Sequence, residues 1–481
     1  MNLSAFKAYD VRGRIPDEIN DGLARDIGRA YAAFIGAKRV VVGRDIRLTS
    51  LSLTEALIQG LIESGVSVAD IGLCGTEGVY FATAFGSVPE LIGGGMGFDG
   101  GIMVTASHNP PDYNGMKFVR EGSRPVSSDT GLREIAIMIR EGRLPPPIVP
   151  STMLHELSMK TALRPGARAV LDTRSAYVDH LLSYIDRSAL SKLKVVVNAG
   201  NGGAGVIVDM LEPYLPFEFI KVHHEADGSF PNGVPNPMLE ENRDSTAEAI
   251  IRSGADLGLA WDGDFDRCFF FDHNGRFIEG YYLVGLLAQG FLTKAPGSRI
   301  VHDPRLTWNT LDIVRRAGGV AVMSRSGHAF IKQKMREVDG IYGGEMSAHH
   351  YFRNFAYCDS GMIPWLLVLE QICRSGRSLA ELVDERIQMF PCSGEINRKI
   401  PDGKKAIADV QARFIASAKS VDHTDGLSME FADWRLNLRS SNTEPLIRLN
   451  VESRGSEERM KEKTVEVLEF LNELGAESAD H

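Results

Sequence analysis

The sequence predicts an α/β protein with three related α/β domains followed by a smaller C-terminal α+β domain. Its 481 residues are too many for one hydrophobic core and suggest roughly three to four domains of about 100–200 residues each. Three segments, residues 39–45, 194–200 and 299–303, each join a β-branched run to a polar loop and then a helical stretch. This pattern is typical of α/β units with parallel strands.

Further patterns suggest where the domains begin and end. The turns Asp45-x-Arg47-Leu48-Thr49 and Asp303-x-Arg305-Leu306-Thr307 match at four positions, which indicates a weak internal repeat or a chance similarity. The proline-rich residues 145–150 lie shortly before the predicted boundary between the first two domains. After about residue 386, two strand-like runs flank a short turn, and a charged amphipathic helix from about 457 to 471 follows. We predict domains at residues 1–170, 171–275, 276–386 and 387–481.

Composition excludes several classes of function. The formal net charge is −10, with 43% apolar and 24% charged residues, so no basic stripe is available for a nucleic-acid backbone. The five scattered cysteines indicate neither a disulfide framework nor a zinc ribbon, and a reducing cytoplasm fits them best. Residues 1–14 lack the apolar core of a secretory signal, and the longest apolar run, 281–292, is shorter than the ~20 residues of a membrane helix. We expect no membrane segment and no nucleic-acid partner.

The first candidate site is the hexapeptide Thr105-Ala106-Ser107-His108-Asn109-Pro110. It follows the apolar run 101–104, so Ser107 is predicted at the tip of a buried strand, where it could carry a phosphoryl group. Ordinary turn chemistry is the alternative, because serine, asparagine and proline all favour turns.

The second candidate site is an acidic loop, residues 262–267, after another apolar run. In extended chain, Asp262, Asp264 and Asp266 would point to one side, and their repulsion would favour a divalent cation. An EF-hand is excluded because Arg267 and His273 stand where it needs Gly and Glu. A solvated acidic turn remains the alternative. Mg²⁺ pairs a few protein ligands with a phosphate, which a phosphorylated Ser107 would supply.

Three other loops carry polar chemistry. Glu345 and Ser347 alternate along a loop and suit the hydroxyls of a polyol, whereas the adjacent His349 and His350 lack the spacing of a zinc site. Arg439 opens a turn of hydroxyl and amide side chains that suits a phosphate dianion. The glycine-rich segment 200–205 matches a dinucleotide fingerprint, but its glycines are equally suited to close helix–strand packing.

Taken together, these motifs resemble the four signature loops of the α-D-phosphohexomutases. The motifs are Thr105–Pro110, Asp262–Arg267, Gly344–His349 and Arg439–Pro445, and their order and spacing match along essentially the whole chain. Met346, together with residues 6–13, most resembles bacterial phosphomannomutases, including those that also act as phosphoglucomutases. The resemblance implies four domains with mixed sheets around a central cleft, Mg²⁺, and an active phosphoserine at Ser107.

The resemblance also assigns roles to matching residues. Mg²⁺ would be bound by Asp262, Asp264, Asp266 and the Ser107 phosphate. Acid, base or positioning roles would fall to Lys117, His108 and His328, and Tyr9, Arg12 and Arg267 would line the cleft. The sugar would contact Glu345, Ser347 and His349, and the second phosphate would contact Arg439, Ser441, Asn442, Thr443 and Arg448. Two positions depart from the family: Ala348 replaces a common Gly, and Arg305, a further candidate for substrate contact, replaces a common Lys.

The implied reaction interconverts a hexose 1-phosphate and a hexose 6-phosphate, and the expected sugars are mannose and also glucose. Ser107 lends its phosphoryl group and recovers another, through a hexose 1,6-bisphosphate that also acts as activator. The alternatives are a phosphoglucosamine mutase, which Met346 disfavours, a phosphatase using Ser107, and a non-catalytic sugar-phosphate-binding protein. Small sugar phosphates are the expected partners, and a monomer or weak dimer is the expected state.

Overall fold

A computed structural model describes residues 3–87, 97–148, 166–440 and 446–478. The chain divides into two compact units, one formed by Met1–Phe277 with Asn354–Arg374 and the other by Ile278–Arg353 with Ser375–His481. Mixed sheets flanked by helices, followed by an antiparallel C-terminal sheet, confirm the predicted fold class. The domain boundaries and the central cleft remain predictions.

Within the described part of the chain, the first sheet has seven strands in the order β1-β5-β4-β2-β3-β7, with β6 beside β5. Strands β2, β3, β4 and β7 run parallel, whereas β5 is antiparallel to its neighbours β1, β4 and β6. The strands are β1 Val11–Arg14, β2 Arg39–Arg44, β3 Ser67–Leu73, β4 Gly100–Val104, β5 Tyr113–Arg120, β6 Arg124–Pro125 and β7 Arg168–Val170. The helices are α1 Asp21–Ile35, α2 Ser50–Glu63, α3 Thr76–Phe85 and α4 Leu132–Arg140.

The second sheet has the order β12-β11-β10-β8-β9, with β8 parallel to β9 and β10 and with β11 antiparallel to β10. Gly205 supports the packing interpretation of the glycine-rich segment, because a Cβ there would lie 2.4 Å from the His224 carbonyl oxygen. The elements are α5 Arg174–Leu182, β8 Lys194–Asn198, α6 Ala204–Leu211, β9 Glu218–Val222, α7 Asp244–Ser253, β10 Leu257–Trp261, β11 Cys268–Asp272 and β12 Phe277–Ile278.

The second unit begins with a sheet in which β13 pairs in parallel with β14 and β15, and β16 is antiparallel to β15. The apolar run at 281–292 lies in α8, and Tyr281 and Leu292 at its two ends are both buried. The elements are α8 Gly280–Lys294, β13 Arg299–His302, α9 Trp308–Arg316, β14 Val320–Met323, α10 His328–Val338, β15 Tyr342–Gly344 and β16 His350–Phe352.

A returning segment then contributes to the first unit. It comprises β17 Cys358–Asp359 and most of α11 Ile363–Ser375. Trp365 of α11 packs edge-on against Trp261 at the end of β10, with ring centroids 6.4 Å apart. The indole nitrogen of Trp261 also donates to the Gly361 carbonyl, so the returning segment is fixed beside the strand that leads into the acidic loop.

The last sheet is antiparallel, in the order β19-β20-β21-β22-β18-β23. The predicted terminal helix is confirmed, and Ser456 caps it by accepting from the Arg459 amide. The elements are α12 Leu379–Met389, β18 Ile396–Lys399, α13 Gly403–Phe414, β19 Ser420–Asp422, β20 Leu427–Glu430, β21 Trp434–Ser440, β22 Leu446–Ser453, α14 Glu457–Glu473 and β23 Glu477–Ser478. Among the described residues, no helix combines the length and apolar character that crossing a membrane requires.

Candidate active site

Ser107 lies in the loop between β4 and β5, at the carboxyl end of a strand whose residues are all buried. Its backbone is left-handed, with φ 49°, and its amide donates to Thr105 Oγ1. Its hydroxyl donates to Asp262 Oδ2 over 2.8 Å and lies 3.1 Å from His108 Nδ1. The fold therefore joins the two candidate loops through the serine oxygen itself.

The buried side chain of Arg47 binds the backbone of the loop that carries Ser107. Its two terminal nitrogens donate to the carbonyl oxygens of Pro110 (2.7 Å), Tyr113 (2.9 Å), Ser107 (2.9 Å) and Asn109 (2.6 Å). One guanidinium thus satisfies the carbonyl of Ser107 and three carbonyls that follow it, and fixes the path of the loop.

The matching Asp-x-Arg turns have the same local geometry. Asp45 Oδ1 accepts from the Arg47 amide, and Asp303 Oδ1 accepts from the Arg305 amide, in each case just before a helix. Arg305 Nη2 then lies 3.3 Å from Ser347 Oγ and 3.5 Å from Glu345 Oε1. In both turns, the arginine side chain reaches a candidate functional loop.

The acidic loop converges by a different route from the one expected. It is not extended, because Phe265 has φ 47° and turns the chain. One carboxylate oxygen from each of Asp262, Asp264 and Asp266 nevertheless lies within 4.8 Å of the others, and all three residues are buried. Gly263 allows the close approach of Ser107, since a Cβ there would lie 2.5 Å from the Ser107 carbonyl oxygen.

The three aspartates fit a hard divalent cation. Lys117 Nζ donates to Asp264 (2.7 Å) and Asp266 (2.6 Å), and Thr76 Oγ1 also donates to Asp264. Asp264 Oδ1 is buried and has no hydrogen-bond partner in the described part of the chain. A buried carboxylate oxygen without a donor is costly, and a cation with oxygen ligands would satisfy it.

His108 and Arg267 form the side of the site next to Ser107. Arg267 donates to Asp262 Oδ2 through Nε (2.9 Å) and Nη2 (2.7 Å), and Nη2 lies 2.6 Å from His108 Nδ1. Because a guanidinium only donates, His108 Nδ1 accepts and the ring proton lies on Nε2. Desolvation of the ring, together with the charges of Arg267 and Arg12, holds the pKa of His108 well below its ordinary value. The histidine is therefore neutral near pH 7.

The N-terminal segment also reaches this loop. Arg12 on β1 donates to Asn109 Oδ1 (2.7 Å) and to Asp10 Oδ2 (2.6 Å). Tyr9 is half-buried in the turn just before this strand. Within the first unit, the candidates Ser107, His108, Lys117, Arg267, Arg12 and the three aspartates thus form one connected group.

The second unit gathers the candidate sugar contacts. Glu345 follows β15 and accepts from the Gly327 amide (2.8 Å) and the Tyr351 hydroxyl (2.5 Å). Burial raises the pKa of Glu345, and the charge of Arg305 opposes this effect. Ser347 Oγ lies 3.3 Å from His349 Nδ1.

The turn at residue 348 is formed even though alanine stands there in place of the common glycine. Ala348 has φ 67°, a left-handed conformation that favours glycine, so the substitution keeps the turn at a modest cost. His328 begins α10 directly after Gly327, whose amide binds Glu345. The structure therefore brings His328 to the loop that carries Glu345.

The candidate phosphate contacts lie on neighbouring strands of the last sheet. Arg439 on β21 stands directly opposite Arg448 on β22, and both approach the carboxylate of Glu395, at 3.1 Å and 3.3 Å. The remaining candidates Ser441, Asn442 and Thr443 lie outside the described residues.

The contributors to the site that were not singled out from the sequence include Arg47, Thr76 and Glu395. Arg47 carried a signal, because it belongs to the Asp-x-Arg turn that recurs at Arg305. Thr76 and Glu395 carried none, since their partners lie far away in the chain.

Known proteins match this chain over most of its length. Four domain families of phosphoglucomutase/phosphomannomutase match it: alpha/beta/alpha domain I over residues 3–143, domain II over 175–275, domain III over 279–390 and the C-terminal domain over 395–470. A curated protein named "Phosphohexose mutases" from Xanthomonas campestris pv. campestris (strain B100) is 59% identical over 471 residues, 98% of this chain and 100% of that protein. A phosphomannomutase from Salmonella montevideo is 56% identical over 476 residues, 98% of this chain and 99% of that protein.

A solved structure is also similar. The phosphoglucomutase/phosphomannomutase family protein from Burkholderia thailandensis superimposes with a TM-score of 0.86 at 32% identity, covering 99% of this chain and 98% of that one.

Proposed function

Because this chain belongs to the phosphoglucomutase/phosphomannomutase family, we propose that it interconverts the 1-phosphate and 6-phosphate of a hexose, as a phosphomannomutase and phosphoglucomutase. The observation that carries this proposal is the 2.8 Å hydrogen bond from Ser107 Oγ to Asp262, beside two further buried aspartates. A serine there can store a phosphoryl group next to a cation that neutralises it.

The transfer step can be written from this geometry. Phosphorylated Ser107 gives its phosphoryl group to a free sugar hydroxyl: the bond from phosphorus to Oγ breaks and a bond to the sugar oxygen forms. The hydroxyl proton leaves as the sugar oxygen attacks, and Oγ regains a proton as the serine is restored. Arg267 and Lys117 supply fixed positive charge near the transferring oxygens, and neutral His108 positions the Arg267 guanidinium by accepting from it. A hexose 1,6-bisphosphate supplies the phosphoryl group of the resting enzyme.

We propose that Asp262, Asp264 and Asp266 bind Mg²⁺ together with the serine phosphate. When bound, the ion neutralises charge on the equatorial oxygens of the transferring group. The buried oxygen Asp264 Oδ1 supports this assignment.

Removing the cation is expected to lower turnover roughly 10²-fold or more. EDTA would be added to the purified protein during a coupled assay, and Mg²⁺ would then be restored in excess. EDTA saturated with Mg²⁺ beforehand is the control, and it should have no effect. Thermal unfolding provides a second readout, since Mg²⁺ should raise the unfolding temperature of the wild type and raise that of Asp264→Asn less. Full turnover in EDTA would rule out the metal assignment.

Further candidate residues would hold the rest of the substrate. Glu345, Ser347 and His349 would contact the sugar, and Arg439, Ser441, Asn442, Thr443 and Arg448 would bind the phosphate that is not transferring. For net isomerisation the bisphosphate must turn end for end. The site of the phosphate that is not transferring must therefore accept either of the two phosphates. We propose that the bound substrate is shielded from water, which keeps the phosphoserine from hydrolysis.

Sugar preference follows from which hydroxyls are contacted. If Glu345 and Ser347 bind O3 and O4, which mannose and glucose share, then C2 is not read and both sugars should react. We expect kcat/KM for mannose 1-phosphate and glucose 1-phosphate to differ by less than roughly 10³-fold, since discrimination at an unread position is weak. Coupled assays with the bisphosphate activator would measure both values. A larger difference would contradict the assignment of O3 and O4.

The same assays separate the rival functions. A phosphoglucosamine mutase would prefer glucosamine 1-phosphate, a phosphatase would release inorganic phosphate, and a binding protein would turn over none of these substrates.

The five cysteines, all within described segments, are free thiols, which supports a reducing compartment such as the cytoplasm.

A further inference from the structure

Glu395, which directly precedes β18, lies among three arginine side chains. Its Oε2 is 3.1 Å from Arg439 Nη2 and 3.4 Å from Arg305 Nη1, and its Oε1 is 3.3 Å from Arg448 Nη1. The carboxylate side chain is only 9% exposed. Both of its oxygens are therefore engaged by guanidinium groups in a partly dehydrated setting.

The local arrangement explains why a carboxylate is needed there. Arg439 and Arg448 are directly opposite each other in the register of β21 and β22, and like charges so placed repel. Glu395 contacts both arginines and offsets this repulsion. Burial would raise the pKa of Glu395, but the three arginines lower it to about 2, so the group is ionised at neutral pH.

Glu395 is an ion-pair partner that Arg305, Arg439 and Arg448 share. A phosphate dianion that binds Arg439 and Arg448 therefore shares its donors with Glu395, and its charge is repelled by that of the carboxylate. Neutralising Glu395 would remove this competition and this repulsion.

We propose that Glu395 weakens the phosphate clamp, by which we mean the guanidinium groups of Arg439 and Arg448. Its carboxylate competes with the bound phosphate for their donors. This inference rests on the proposed function, in which the bisphosphate must leave the clamp in order to turn. Stronger binding of every bound species alike would not speed the reaction and would slow this release.

The proposal separates Glu395 from a residue that only supports the fold. A supporting residue, once replaced, would lower stability and loosen the arginines, and phosphate would bind more weakly. A competing carboxylate, once neutralised, lets phosphate bind more tightly. Glu395→Gln keeps the shape and removes the charge, so the direction of the change in affinity decides between the two roles.

The experiment measures binding to the full-length protein by titration calorimetry. Inorganic phosphate is titrated in EDTA, and glucose 1,6-bisphosphate is titrated in Mg²⁺. For Glu395→Gln we expect phosphate to bind roughly tenfold more tightly, which equals about 1.4 kcal/mol. Turnover should show a lower KM for hexose 1-phosphate and a lower kcat. Glu395→Asp draws the carboxylate back by one methylene group and should tighten binding by an intermediate factor.

Two controls locate the effect. Asp433→Asn removes the same charge from a half-exposed ion pair with Arg459. Asp433 lies just before the opposite end of β21, roughly 20 Å away at the rise of a strand. It should leave phosphate affinity unchanged. Adding Arg448→Met to Glu395→Gln should abolish the gain in affinity, which excludes binding at the Ser107 site as its source.

The outcomes distinguish this inference from the proposed function. Unchanged or weaker phosphate binding in either folded Glu395 variant would overturn the role of Glu395, as would a wild-type protein that binds neither probe. Tighter phosphate binding with no mutase turnover in the wild type would support the role of Glu395 and contradict the proposed function.

Discussion

Replacing Ser107 with alanine is expected to lower mutase turnover roughly 10⁴-fold or more, the scale of loss that follows removal of a nucleophile. The hydroxyl is the atom that carries the phosphoryl group, and its neighbours Asp262 and His108 offer no substitute at the same position. Coupled assays would measure turnover, and mass spectrometry of the intact protein would show the loss of one phosphoryl group. Binding of hexose phosphates should remain close to that of the wild type.

The control for this prediction is Ser183→Ala. Ser183 is an exposed serine that donates to the His180 carbonyl, and its loss should leave turnover and phosphorylation unchanged. Substantial turnover by Ser107→Ala would mean that the phosphoryl group is stored elsewhere.

Replacing Arg47 with lysine is expected to lower kcat roughly 10²-fold, because misplacing a reacting group by about 1 Å can cost that much. The guanidinium donates to four carbonyls around the Ser107 loop, and one ammonium cannot reach them all in the same geometry. The loop would then hold Ser107 less firmly against Asp262. Steady-state kinetics and the extent of Ser107 phosphorylation would be measured together.

Arg29→Lys is the matched control, since Arg29 also donates to a carbonyl, that of Pro145, away from the Ser107 loop. Arg29→Lys should change neither kcat nor KM. Arg47 would be merely structural if Arg47→Lys unfolded at a lower temperature but kept the wild-type kcat per folded molecule, and the positioning role would then be wrong.

The sequence predicted the fold class because strand and helix patterns are local. The β-branched runs of β2, β8 and β13 and the amphipathic pattern of α14 can each be recognised without knowledge of their partners. The carboxyl ends of the strands also indicated where polar loops would gather, since ligands bind at that edge of open α/β sheets.

The details of the site depended on information that is not local. The acidic loop was expected to be extended, but it turns at Phe265, and Gly263 lies against the Ser107 carbonyl oxygen, a contact between segments far apart in the chain. Arg47 lies about sixty residues from the carbonyls that it binds, and Glu395 lies in a segment separate from both strands that carry its arginines. The periodicity or motif of a single segment does not predict contacts between residues that lie far apart in the chain.

The most direct test of the central claim is a single-turnover transfer from labelled phosphoenzyme. The protein would be phosphorylated with labelled glucose 1,6-bisphosphate, freed of excess, and mixed with unlabelled mannose 1-phosphate in Mg²⁺. We predict that the label leaves Ser107 and appears in hexose bisphosphate and then in hexose 6-phosphate. Label that remains on the protein, or is released only as inorganic phosphate, would contradict a serine that lends its phosphoryl group and recovers another.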